Sequence, residues 1–373
     1  MYSRRSFLIG ALAVTGCGRK RGHGFDGYAF VANQEGGAVA AVDLTAFAVV
    51  RHIRVNGAPS EVIAHPRRPA VYVLTPASGA VHEIGRDTLT VRRTARLDAR
   101  ADSMRLSPDG EHLFLLCRES RELVSIGVET LKPEGHVRIS GRAFDFDISR
   151  DGLYAAMSYP DLRAAEVVAL DSRRAKARMV LAGEPGALRF RSDGRYVLIG
   201  DRTTRVLSIF ETTSGATVTH LPLAVSPEHF CFNADGGQMF ITGPGMDAVV
   251  VVYPHNTPQV AETALAGRTP GFMAATRPGS ASQLLFVTNP NWGHVTILDI
   301  RSRRAIATVA VGSSPEFISI TPDNQYALVL NRVSGDLAVI RIPTITARRT
   351  KAAALFTMIP VGSKPVSADV AYI

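Results

Sequence analysis

From about residue 27 to its end the chain is filled by short apolar runs, broken every few residues by Gly, Pro, Asn or Asp. No stretch carries the spacing of a long amphipathic helix, and the runs are rich in β-branched and aromatic residues. That pattern predicts an all-β chain of many short strands. The unit around Pro315 shows the grammar. Phe317-Ile318-Ser319-Ile320 is a first strand, Pro322-Asp323-Asn324 a turn, and Tyr326-Ala327-Leu328-Val329-Leu330 a second strand. Ser334-Gly335-Asp336 turns the chain again, Leu337-Ala338-Val339-Ile340 is the third strand, and Phe356 to Val361 makes the fourth. Pro presets φ and Gly or Asn accepts positive φ, so Pro-Asp-Gly at Pro108 to Gly110 marks the same turn in another unit. The near-continuous apolar strands suit sheets packed on both faces.

The grammar repeats. A Pro or small residue opens each unit at Pro59, Ala101, Ala143, Pro185, Pro227, Pro270, Pro315 and Pro365, the early members 42 residues apart. A second column, closing the second strand, runs Asn33, Thr75, Cys117, Tyr159, Asp201, Gly243, Asn289 and Asn331, with a single step of 46 among steps of 42. Four antiparallel strands per repeat of this length predict the blades of a β-propeller. The opening unit lacks its own first strand, while Pro365 to Ile373 has that pattern with nothing after it. The two ends are therefore expected to share one blade, with the C-terminal strand innermost and the ring closed. The count is eight blades; seven is the alternative if the unit around Ala143 is misread.

The first thirty residues read differently. Ser3-Arg4-Arg5-Ser6-Phe7-Leu8 places two arginines before an apolar run too short to span a bilayer, and resembles a twin-arginine export signal. Val14-Thr15-Gly16-Cys17 resembles a bacterial lipobox, whose cysteine accepts lipid. The organisation expected is an export signal over 1–16, a tether over 17–26 that includes Arg19-Lys20-Arg21, and a propeller over 27–373. The address that follows is extracytoplasmic, in the periplasm or at the cell surface, held to a membrane through lipidated Cys17. Cys117 and Cys231 fall in different blades and read as buried small hydrophobes rather than a disulfide.

Charge changes the picture little. The formal net charge is +9, of which the expected export signal carries Arg4 and Arg5. Basic residues look scattered in short pairs (Arg67-Arg68, Arg92-Arg93, Arg173-Arg174, Arg303-Arg304, Arg348-Arg349) rather than gathered into one stripe. Nucleic acid is therefore not an expected partner.

The segments Phe30-Val31-Ala32-Asn33 with Gly36-Gly37 and Val39 to Asp43, and Phe286-Val287-Thr288-Asn289 with Gly293 and Val295 to Asp299, resemble the YVTN-type β-propeller repeat over essentially 27–373. The units around Tyr159 and Tyr253 have drifted from it. The resemblance implies an extracytoplasmic propeller, commonly without known activity; some related propellers are lactonases or carry haem. The single Trp292 cannot supply the repeated Trp of the WD or quinoprotein propellers.

In a propeller the loops entering the inner strands and those between second and third strands share one face, around the channel mouth. Flanking the Pro column there lie Glu61, Arg100, Asp102, Arg142, Asp145, Glu184, Glu228, His229, Phe272, Glu316, Phe317 and Lys364; after the second column lie Arg118, Arg202, Trp292 and Arg332. His229 beside Glu228, with Glu61 or Glu316 opposite and Arg142 or Lys364 to hold an anion, is the candidate acid/base set for lactone hydrolysis. Arg142, Lys364, Arg202, Arg332, Trp292 and Phe317 are the candidate ligand or partner contacts. His65, Asn33, Asn289 and Asn331 read as structural, satisfying turn backbone.

No metal-ligand spacing is found and no cofactor is expected. The lack of Cys-x-x-Cys-His excludes covalent haem, while noncovalent haem stays open because one His suffices to ligate it. The leading function is a monomeric, non-enzymatic scaffold binding a protein, peptide or envelope polymer at the channel face. A lactonase-like hydrolase and a noncovalent haem or tetrapyrrole binder are the alternatives.

Overall fold

The computed structural model describes residues 24–345 and 354–372. The expected export signal, lipobox Cys17 and most of the tether lie outside them. The described chain forms eight four-stranded antiparallel sheets arranged in sequence order around a ring. Blade 1 is composite. Its strands run, from the outside in, Ala48–Arg54, Ala38–Asp43, Gly27–Asn33 and Pro365–Tyr372, so the last strand of the chain pairs with the first from Gly27↔Tyr372 to Asn33↔Pro365. The expected closure and the count of eight both hold. The other inner strands are Glu61–Ala64, Ser103–Leu106, Phe146–Ile148, Pro185–Phe190, His229–Phe232, Met273–Ala275 and Pro315–Ile320, for blades 2 to 8 in turn.

Second and third strands are sandwiched between neighbouring blades, which is why they carry no polar alternation. Ala70–Thr75, Leu284–Asn289 and Tyr326–Asn331 are buried at every position. The cores lie between blades rather than within them: Phe30, Val39, Ile53, Val62, Val71 and Ile84 form one cluster from blades 1 and 2. The fourth strands are half exposed, and in every blade the pairing of third to fourth strand carries one register shift, at Ala41/Val42, Glu83/Ile84 and their equivalents. A bulge at this position twists the outer edge away from further pairing.

The turns obey the expected chemistry. Ser107 Oγ donates to Asp109 at 2.5 Å and accepts the His112 N–H at 2.9 Å, and Asp109 also accepts the Glu111 N–H. Ser149 with Asp151 and Thr321 with Asp323 repeat the motif. Gly110 closes the first of these turns at φ +79°, where an added Cβ would meet the His65 ring. His65 Nδ1 accepts the Arg67 and Arg68 N–H groups, so its Nε2–H donates to the Gly110 carbonyl at 2.9 Å. Asn33 donates to the Val361 carbonyl, as read, whereas Asn331 donates to the Asp336 carboxylate rather than to turn backbone. Cys117 and Cys231 are unpaired, on blades 3 and 6. Ten of the basic residues fall on the outer strands of blades 1 to 4, a grouping the sequence reading did not make, while others, such as Arg67, Arg68 and Arg304, lie elsewhere.

Closure makes a direct prediction. A chain ending at Lys364 leaves Gly27–Asn33 without its inner partner, and thermal unfolding followed by circular dichroism should show a lower and broader transition than that of the intact chain. An unchanged transition would mean that the ring does not depend on the C-terminal strand.

Candidate functional site

An inner strand is an edge strand, so alternate N–H groups point away from its own sheet and need acceptors. Five of them find side chains on the inner strand, or the residue entering it, of the preceding blade. Val62 N–H bonds Ser367 Oγ at 3.2 Å and Ala64 N–H bonds Asp369 at 2.8 Å, across blades 1 and 2. Met104 N–H bonds Glu61 at 2.6 Å across blades 2 and 3. Leu188 N–H bonds Asp145 at 3.3 Å and Phe190 N–H bonds Asp147 at 2.9 Å across blades 4 and 5. Each acceptor sits two or four residues past the Pro column, on the side of the strand opposite core residues such as Val62, Met104 and Phe146.

These two positions line the channel, and they divide it. On blades 1 to 5 they are largely charged. Arg189 meets Asp145 at 2.6 Å, and Arg105 lies 3.6 Å from Asp145 and 3.9 Å from Glu61. Burial pushes the carboxyls of Glu61, Asp147 and Asp369 above their usual range, opposed by Arg105, by Arg189 and chiefly by the Ala64 N–H respectively. On blades 6 to 8 the same positions are His229, Cys231, Phe272, Ala274, Phe317 and Ser319, without a charge. The His229 ring lies against Phe272, centroids 4.1 Å apart. Burial, with help from Arg189, lowers its pKa from 6.5 to about 4, so the imidazole is neutral at pH 7. Burial also pushes the Cys231 thiol up to about 12, which makes it unreactive.

From His229 a groove of about 650 Å³ runs outward between blades 6 and 7, lined by Glu228, Met246, Asp247, Thr269, Pro270 and Asn291 among others. The channel face around it shows large aromatics: Phe144 is 37% exposed, Phe272 40% and Trp292 51%. Arginines stack on two of them, Arg202 over Phe144 at 4.9 Å and Arg268 over Trp292 at 4.6 Å. Such pairs hold the rings rigid and flank them with donors.

The predicted site residues therefore reach one face but not one point. Glu228 and His229 line the same groove, with no hydrogen bond joining their side chains. Glu61 is occupied by Met104 N–H, and Glu316 by Ser314 and by Arg332 at 2.9 Å. Arg202 pairs with Glu184 at 3.7 Å, and Lys364 with Glu35. Arg142 is exposed on the same face, beside Phe144 and Arg118 in a second depression. Phe317 is partly buried against the core of blades 8 and 1. Among the described residues no His, Cys, Asp and Glu cluster is arranged to hold a metal. Sequence reasoning missed Arg105, Asp147, Arg189 and Asp369; their signal was the position four residues past the Pro column, on the same side as Glu61 and Asp145.

The half-buried imidazole makes a pH prediction. A histidine whose folded pKa lies below its unfolded value binds protons more readily when unfolded, so its contribution is full above pH 6.5 and is lost as pH falls towards 4. Urea unfolding across that window should show His229→Gln gaining up to about 3 kcal/mol on the parent chain. Parallel curves for the two would contradict the neutral imidazole.

No protein family and no curated protein matches the chain by sequence. Solved structures match it in shape. A dihydro-haem d1 dehydrogenase, NirN, in complex with DHE superposes with a TM-score of 0.74 at 15% identity, over 92% of this chain and 74% of that one. Hydrazine synthase of Kuenenia stuttgartiensis gives 0.58 at 16% identity, over 76% and 95%. A functionally unknown protein from Desulfotomaculum acetoxidans gives 0.59 at 12% identity, over 81% and 98%. At these identities the likeness is one of fold, the eight-bladed propeller.

Proposed function

We propose that the chain is an extracytoplasmic, lipid-anchored binding propeller of the YVTN type that takes a protein, peptide or envelope polymer on its channel face. The observation that carries the reading is the set of exposed aromatics there, Phe144, Phe272 and Trp292, two of them stacked by arginines. Rigid aromatics beside arginine are the residues that most often dominate an interface. Lactone hydrolysis is the weaker reading, because Glu61 holds a backbone N–H of the next blade, Glu316 holds Arg332, and Glu228 makes no side-chain hydrogen bond to His229.

A second reading is favoured by one observation, the neutral His229 imidazole against Phe272 at the inner end of the groove. That pair fits a noncovalent tetrapyrrole: His229 would hold the metal and Phe272 would supply apolar lining beside it. The group would supply redox or ligand-binding chemistry, and this chain would orient it and exclude water. The shape shared with the dehydrogenase bound to DHE supports the same reading.

Crosslinking the full chain in its own envelope fraction separates the two. We expect a colourless protein that captures a partner, with the yield reduced about tenfold or more in Phe144→Ala and Trp292→Ala. Co-purification of a visible chromophore, lost in His229→Ala, would replace the scaffold reading with the tetrapyrrole one.

A further inference from the structure

We infer that the outer strands of blades 1 to 4 form a binding track for a flexible linear polyanion of the envelope, on the outer perimeter of the ring rather than at the channel mouth. The four strands, Ala48–Arg54, Thr90–Arg96, Lys132–Arg138 and Arg174–Val180, carry ten Lys and Arg against one acid, Glu134, and all eleven side chains are exposed. On the outer strands of blades 5 to 8, Thr217–Pro222, Gln259–Leu265, Arg304–Ala310 and Leu355–Pro360, the only charges are Glu262 and Arg304. Exposed edges use charge to discourage strand pairing, but that need is the same in all eight blades. It does not explain a charge confined to four consecutive ones.

The arrangement is regular. Arg54, Arg96 and Arg138 occupy one position at the end of three successive outer strands, 42 residues apart, and Lys132, Arg174 and Lys176 extend the charge along the third and fourth. Of the ten, Arg92 and Arg93 are in ion pairs, with Asp87 and Glu83; the other eight have no carboxylate within salt-bridge distance among the described residues. Unpaired guanidinium groups in a row are free to take carboxylate or phosphate groups two bonds at a time.

Shape and chemistry select the occupant. Four of eight blades span half of a convex perimeter, which a flexible chain can follow and a flat bilayer cannot. Single-stranded nucleic acid needs stacking platforms, and these four strands contain no Phe, Tyr or Trp. A polyanion without bases, of the kind found in cell envelopes, fits both constraints.

The test is affinity of the full chain for dextran sulfate, with an oligothymidylate and anionic phosphatidylglycerol vesicles as competitors. Several released counterions should make the affinity fall on the order of 100-fold between about 50 and 200 mM salt. Combined Arg54→Glu, Arg96→Glu and Arg138→Glu should weaken binding at least about tenfold and lower the log–log salt slope by about two. Lys132→Glu with Lys176→Glu should act in the same direction, while Arg301→Glu with Arg304→Glu, on blade 7, should leave affinity within about twofold. An unchanged slope in both track variants would overturn the inference. So would equal or tighter binding of the oligothymidylate or the vesicles.

Discussion

The structure depends on how a ring of sheets satisfies the inner edge of each blade. Every blade ends inwards on a strand whose alternate N–H groups have no sheet partner and need an acceptor. Blades 1, 2 and 4 answer with side chains. Ser367, Asp369, Glu61, Asp145 and Asp147 each reach a backbone N–H of the following blade, so that a polar contact is also an inter-blade tie. Arg105 and Arg189 then become necessary, because carboxylates drawn out of water need countercharge.

The functional asymmetry follows from that solution. Where the ties are carboxylates, the channel wall is a network of ions already committed to one another. Where they are absent, on blades 6 to 8, the wall is His229, Cys231, Phe272 and Phe317, uncharged and outside the ion network. A ligand entering the channel face meets an occupied side and an available one, and the groove between blades 6 and 7 opens from the available side. The outer rim is divided as well, in a different phase: blades 1 to 4 are basic and blades 5 to 8 nearly uncharged.

Much of the fold was legible because it is periodic. The columns from Pro59 to Pro365 and from Asn33 to Asn331 are one-dimensional images of a rotation, and the orphan strand at Pro365 to Tyr372 could only complete the blade that lacked one. The site was less legible. Glu61 reads in sequence as a free carboxylate at a channel mouth, and nothing near it announces that its partner is the N–H of Met104, one blade and 43 residues on. The basic track was missed for a related reason. Adjacent pairs such as Arg92-Arg93 stand out in the sequence, whereas Arg54, Arg96 and Arg138 are equivalent positions on three successive blades, one repeat apart. Residues that act at the spacing of the fold are found only once that spacing is applied to them.

The inter-blade ties are open to direct measurement by amide hydrogen exchange of the intact chain, resolved to single residues. The N–H groups of Ala64, Met104 and Phe190 should exchange as slowly as those of the buried second strands, since each is held by a carboxylate. Exchange at the rate of an exposed edge strand at all three would contradict the account, and with it the derivation of a committed and an available side of the channel.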